Sequence, residues 1–172
     1  MAKNLVIYYS RAGENYFSGS IRSIEKGNTE YVAEFIADAV GADLFKIETA
    51  EEYPQDYKRC TDQAKKELSK NARPKLKRKL DSVAGYDNIF ICGPCWWGTY
   101  PMAVFSLIEG LDWNGKNVFA VMTHEGSGLG SAVRDLTNAC FGAKIAGSIA
   151  IQGGEAMVSK KTVTDWAIKS VE

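Results

Sequence analysis

Three short stretches hold the residue types that could do chemistry, and each follows an apolar run. The first is Ser10-Arg11, which comes directly after Leu5-Val6-Ile7-Tyr8-Tyr9. It is completed, beyond an interruption, by Gly27-Asn28-Thr29-Glu30 at the head of an amphipathic segment. A buried strand that delivers the chain to small and hydroxyl residues, with a helix start behind them, can cradle a dianion. Backbone N–H groups, hydroxyls and the helix dipole all favour negative charge there. Ser10, Asn28 and Thr29 supply side-chain donors, and Arg11 adds a cation. The triplet Gly27-Asn28-Thr29 is equally the pattern of a plain helix start, because Asn and Thr are good caps. A Walker phosphate loop is excluded, since neither Gly-Lys-Ser nor Gly-Lys-Thr occurs.

The second stretch is Gly93-Pro94-Cys95-Trp96-Trp97-Gly98-Thr99-Tyr100-Pro101. Adjacent tryptophans cannot both be buried on one strand face, so at least one indole is offered to a planar ligand or a partner. The alternative packs it on neighbouring loop side chains. Gly98 opens backbone conformations closed to other residues. The third stretch, Thr123-His124-Glu125-Gly126-Ser127-Gly128, lies between a strand and a helix. Its glycines let backbone amides approach an electron-rich ring edge. His124, the only histidine, either stabilises charge and passes a proton or is a structural loop residue. The spacing of the glycines 126, 128 and 130 is not the dinucleotide fingerprint.

Cys92-Gly93-Pro94-Cys95 reads literally as a Cys-x-x-Cys thiol-disulfide exchanger. Such motifs place the first cysteine at an exposed helix N-terminus, whereas Cys92 ends the apolar run Ile89-Phe90-Ile91. Pro101 also interrupts any helix beginning there. The remaining cysteines, Cys60 and Cys140, sit in ordinary core segments, and all four are read as mostly reduced thiols.

The elements that must position these loops alternate regularly. Short apolar runs rich in Val, Ile, Phe or Ala predict strands at 4–9, 43–48, 88–93, 117–123 and 143–152. Stretches of helical period predict helices at 28–40, 56–69, 102–109, 128–139 and 161–170. Five β-α units in 172 residues imply one domain with a parallel sheet covered on both faces. In such a sheet the ligand sits beyond the carboxyl ends of the strands, where the three stretches fall. Residues 13–26 and the polar connection 71–85 read as surface excursions.

Together the hydroxyl-bearing loop after the first strand, Gly93-Pro94-Cys95-Trp96-Trp97-Gly98 after the third and Thr123-His124-Glu125-Gly126-Ser127-Gly128 after the fourth resemble the flavodoxin-like family along nearly the whole chain. The resemblance implies a doubly wound five-stranded parallel sheet of order 2-1-3-4-5 and bound flavin mononucleotide (FMN). Ser10, Arg11, Asn28 and Thr29 would hold the phosphate. Pro94, Cys95, Trp96, Trp97 and Gly98 would form one wall of the ring site, and Thr123, His124, Gly126, Ser127 and Gly128 the other. It also implies that the Trp97-Gly98 peptide can reorient toward the reduced flavin. The compact phosphate loop of the family is split here by residues 13–26.

Twenty-one basic residues balance twenty-one acidic ones, which gives no general affinity for nucleic acid or an anionic membrane. The charges are nevertheless polarised: residues 58–79 hold ten Lys or Arg against Asp62 and Glu67, while residues 1–57 hold ten acids against five bases. The basic stretch lacks the interleaved aromatics of a base-stacking surface. No apolar run is long enough to span a membrane or resembles a secretory signal, so a cytoplasmic location is expected. Expected functions are an FMN electron carrier docking redox partner proteins or an FMN-dependent oxidoreductase passing hydride from a nicotinamide to a quinone. A homodimer is compatible with either.

Overall fold

In a computed structural model that describes all residues, Met1–Glu172, a five-stranded parallel sheet is flanked by helices. Strand β1 (Asn4–Tyr8) leads into a hairpin of β2 (Gly13–Phe17) and β3 (Ser20–Ile24). There follow α1 (Asn28–Val40), β4 (Asp43–Lys46), α2 (Tyr57–Ser69), β5 (Asn88–Pro94), α3 (Met102–Ile108), β6 (Asn117–His124), α4 (Ala132–Ala139), β7 (Lys144–Gln152), a 3-10 turn (Gly153–Val158) and α5 (Lys160–Val171). The sheet order is β4-β1-β5-β6-β7, which is 2-1-3-4-5 when its strands are counted in chain order. The expected architecture is therefore the observed one.

The period-two alternation of the strands explains why both faces are covered. Leu5, Ile7, Ile89, Ile91, Val118, Ala120 and Met122 face one core, against α3 and α4. Val6, Tyr8, Phe90, Cys92, Phe119 and Val121 face the other. There α1 lays down Val32, Ala33, Ile36 and Ala37, and α5 adds Val163 and Ala167. Phe90 and Phe119 stack at 4.6 Å, with the Trp166 edge 5.7 Å from Phe90. At the amino ends of the three central strands the Asn88 amide donates to Asn4 Oδ1 at 2.9 Å, and that of Asn117 donates to Asn88 Oδ1 at 3.0 Å. These amides satisfy one another where the sheet begins.

Residues 13–26 lie at the surface as expected, while two other expectations need correction. Residues 13–26 form an antiparallel hairpin, with Phe17 opposite Ser20 across a two-residue turn. Ser18 and Gly19 both have positive φ, 48° and 91°, as the primed turns that match strand twist require. The polar connection 71–85 is only partly a surface excursion. Leu76 and Val83 are buried, and Leu76 bridges to Thr49, so two apolar side chains pin a charged segment to the edge of the sheet. In addition, α4 begins at Ala132 rather than near Gly128, because Gly128 and Gly130 take left-handed φ values of 61° and 49°.

Phe90→Ala removes the ring at the centre of the α1/α5 core. It is expected to cost about 3–5 kcal/mol, read as a lower urea midpoint at unchanged slope.

Candidate functional site

At the carboxyl rim of β1, β5 and β6 lies a cleft of about 490 Å³. It brings together Arg11 and Asn28 from the first stretch, Pro94, Cys95, Trp96, Trp97 and Gly98 from the second, and Thr123, His124 and Ser127 from the third. Ser10, Thr29, Gly126 and Gly128 are not part of this lining. Ser10 Oγ accepts the Glu30 N–H at 3.0 Å and so caps α1 from a distant strand end. Thr29 is buried, with its hydroxyl 2.8 Å from that of Thr123, joining the start of α1 to the end of β6. The Gly126 N–H donates to His124 Nδ1 at 2.9 Å.

The approach of the first loop to α1 depends on Gly27. A Cβ there would meet Ser10 Oγ at 2.1 Å and the Arg11 backbone at 2.8 and 2.9 Å. The N-cap therefore has no side chain of its own, and the helix start stays open toward the cleft. Arg11 sits beside it, but its guanidinium donates to the carbonyls of Glu14, Pro54 (2.7 Å) and Gln55 (2.9 Å). Three of its N–H groups are thus spent on fixing the hairpin and the 54–55 segment, while its charge remains at the rim.

The second wall is a tight turn. The Trp96 N–H donates to the Thr99 carbonyl at 2.7 Å, and Trp97 and Gly98 both lie at positive φ, 55° and 86°. A left-handed tryptophan is strained by about 1–2 kcal/mol. Trp96 is the inward member of the pair, edge-on to Tyr9 at 5.3 Å and to Tyr53 at 5.0 Å. Trp97 is the outward one, half-exposed, with its indole N–H on the Thr61 carbonyl at 3.0 Å. The Gly98 carbonyl accepts the Ser131 N–H at 2.7 Å, so this turn and the third loop are tied together.

The model of the flavodoxin family matches residues 4–170. The chain belongs to that family. Among solved structures, a candidate flavoprotein from Bacteroides eggerthii DSM 20697 shares 25% identity over 100% of this chain and 99% of its own, with a TM-score of 0.76. Another from Bacteroides uniformis ATCC 8492 shares 27% identity over 96% and 97%, with a TM-score of 0.72. A flavoprotein in complex with FMN from Lactobacillus acidophilus NCFM shares the fold at 21% identity over 90% and 96%, with a TM-score of 0.65. No curated protein matches significantly.

The residues of this flavodoxin fit the FMN that its family implies. At the α1 start the Glu30 N–H is taken by Ser10 and by the Gly27 carbonyl, which leaves the N–H groups of Asn28 and Thr29 for a phosphate. The Asn28 side chain, also in the cleft lining, packs on Gly153: a Cβ on Gly153 would meet its Nδ2 at 2.6 Å. The same Cβ would meet Glu125 Oε1 at 2.6 Å. Glu125 is the single carboxylate in the cleft lining; burial raises its pKa, and the Ser18 N–H partly restores the charged form.

Burial lowers the pKa of His124, whose Nδ1 is already an acceptor, so the neutral imidazole is favoured. Cys95 faces the cleft, its thiol raised by burial and partly compensated by the Gly98 N–H and the Ser127 hydroxyl. Cys92 is fully buried in the opposite α1/α5 core, and burial pushes its pKa far up. One thiol lies in each of two separate environments, which removes the disulfide-exchange reading.

Sequence reasoning missed the contributions of the hairpin and α2. Asn15 and Tyr16 line the cleft from β2, and Tyr57, Cys60, Thr61 and Ala64 line it from one face of α2. The Glu14 carboxylate accepts the Tyr57 N–H at 2.8 Å, and the rings of Tyr16 and Tyr57 lie 6.3 Å apart. The readable signals were the Ser18-Gly19 turn pair and the 57, 60, 61, 64 spacing on one helix face.

Glu125→Gln removes the negative charge beside Asn28 and is expected to tighten FMN binding roughly three- to tenfold, about 1 kcal/mol, in a fluorescence titration. In wild type the affinity should rise as pH falls through the raised Glu125 pKa. The His124 imidazole should titrate by NMR below the free-histidine value of about 6.5. Because its folded pKa is depressed, the 124–126 turn is stable above that value and loses stability as pH falls below it.

Proposed function

We propose that this flavodoxin is an electron carrier that holds FMN at the carboxyl rim and passes electrons between redox proteins. FMN is its cofactor, and when bound it supplies the redox chemistry, in one- or two-electron steps. The chain's task is to fix the phosphate at the α1 start, flank the ring with the 94–98 and 123–128 loops and govern access at the rim.

The observation that carries this reading is the 96–99 turn. The backbone on either side is pinned, Trp96 to Thr99 and the Gly98 carbonyl to Ser131. Between these anchors lies the Trp97-Gly98 peptide, with positive φ on both flanks. Glycine tolerates either sign of φ, so this peptide plane can turn while both anchors hold, exchanging the Gly98 N–H contact with the Cys95 sulfur for a ligand. A hydrogen-bonding group that reorients beside the ring suits a protein whose task is to hold more than one oxidation state. The half-exposed Trp97 also leaves an aromatic edge that a partner protein can reach.

The test uses FMN-loaded protein. Reductive titration is expected to proceed in two resolved one-electron stages, with electrons delivered to a protein acceptor. NADH and NADPH should be oxidised no faster with a quinone present than without it. Steady nicotinamide turnover with quinone would overturn the carrier reading in favour of an FMN-dependent NAD(P)H:quinone oxidoreductase. Gly98→Ala meets no atom within 4 Å but is strained at φ +86°. It should shift the spacing of the two stages by an amount equivalent to about 1–2 kcal/mol, with little change in FMN affinity.

A further inference from the structure

We propose that the outward face of α2, beside Trp97, is the docking site for an acidic redox protein; the inference rests on the carrier reading above. The inward residues of α2, Tyr57, Cys60, Thr61 and Ala64, line the FMN cleft, so its outward face begins at the cleft edge. Trp97 marks the junction. Its indole N–H is locked on Thr61, and the Lys65 ammonium lies over its ring at 5.0 Å.

The charge on this face is uncompensated. Lys58 is paired with Asp62 at 2.9 Å. Glu67 turns inward, accepting from the Tyr53 hydroxyl at 2.7 Å and the Gln63 amide at 3.3 Å. Both acids of the segment are therefore occupied, whereas Arg59, Lys65, Lys66 and Lys70 are exposed and carry no ion pair. Beyond the helix, Arg73 is held by Glu109 and Lys77 by Glu48. Residues 1–57, with twice as many acids as bases, give the rest of the molecule the opposite sign. The resulting field orients an acidic partner toward α2 and speeds its encounter.

From Arg59 to Lys70 the cations extend over about 16 Å of helix, the footprint of a protein face rather than of one pyrophosphate. A half-buried tryptophan flanked by cations is also the kind of anchor that protein interfaces use. Each productive encounter moves one electron from the partner's centre to the flavin. Two encounters with two protons from water complete the reduction.

The experiment is stopped-flow reduction of the FMN-loaded protein by a reduced acidic plant-type [2Fe–2S] ferredoxin, with the basic cytochrome c as opposite-charge acceptor from the reduced flavoprotein. The ferredoxin rate constant is expected to fall about tenfold between about 20 mM and about 300 mM salt. The double variant Arg59→Glu/Lys66→Glu should lower it about tenfold at low salt and raise that for cytochrome c. Its FMN affinity and its reduction by dithionite should be unchanged, which shows that the site is intact. A ferredoxin rate indifferent to salt and to the double variant overturns the docking site. So does cytochrome c as the faster, salt-inhibited partner, although the carrier reading then survives. If dithionite reduces the flavin but neither protein exchanges electrons with it, the carrier reading fails and the docking site with it. Salt-sensitive flavin reduction by NADPH that the double variant abolishes would reassign the face to dinucleotide phosphates.

Discussion

Everything at the rim depends on the register of β1, β5 and β6. Tyr8 pairs with Cys92 and Cys92 with Val121, so the three strands run in step to their carboxyl ends. That register is fixed because each strand is buried on both faces and alternates between two cores. A slip of one residue would move Ile7, Ile91 and Ala120 out of the core they share and into the other. With the strands locked, the loops that leave them must emerge side by side. Only chain continuity and burial are needed to converge Arg11, Pro94 and His124 on one cleft.

The loops are then tied by a few polar links. Ser10 caps α1, the Thr29 hydroxyl meets that of Thr123, and the Ser131 N–H holds the Gly98 carbonyl. Each joins two different loops or a loop and a helix start, so the cleft is framed before any ligand enters it. Close approach depends on residues without side chains: Gly27 under the Ser10-Arg11 backbone, and Gly130, where a Cβ would lie 2.3 Å from the Gly98 carbonyl oxygen. Strain is concentrated at Trp97, the one bulky left-handed residue in the chain, at the mouth of the cleft.

Much of this was legible because it was written in local patterns. The five apolar runs and intervening helical periods map onto five sheet strands and five helices with ends shifted by a few residues, since burial on two faces leaves a continuous apolar signature. Cys92 at the end of such a run was already a poor thiol nucleophile, and the structure buries it completely. The hairpin was less legible. The side chains of β3 are mostly exposed, so its hydrophobic pattern is faint, and only the Ser18-Gly19 pair announced its turn. The share of α2 in the cleft was hidden for a different reason. Tyr57, Cys60, Thr61 and Ala64 look like any inward helix stripe, and nothing local says whether that stripe meets a core or a ligand.

By itself the sequence determined which segments are strands and helices, the two-sided cover of the sheet and the three loops that carry polar and aromatic residues. These follow from side-chain periodicity and from backbone permissions at glycine and proline, which act over a few residues. Tertiary structure alone decided how those residues are used: Arg11 spent on backbone carbonyls, Ser10 turned into a helix cap, Trp96 facing in and Trp97 facing out, and α2 brought to the rim. Such choices rest on contacts between residues far apart in the chain, as with Thr29 and Thr123. They are set by competition among partners that meet only after the sheet has formed.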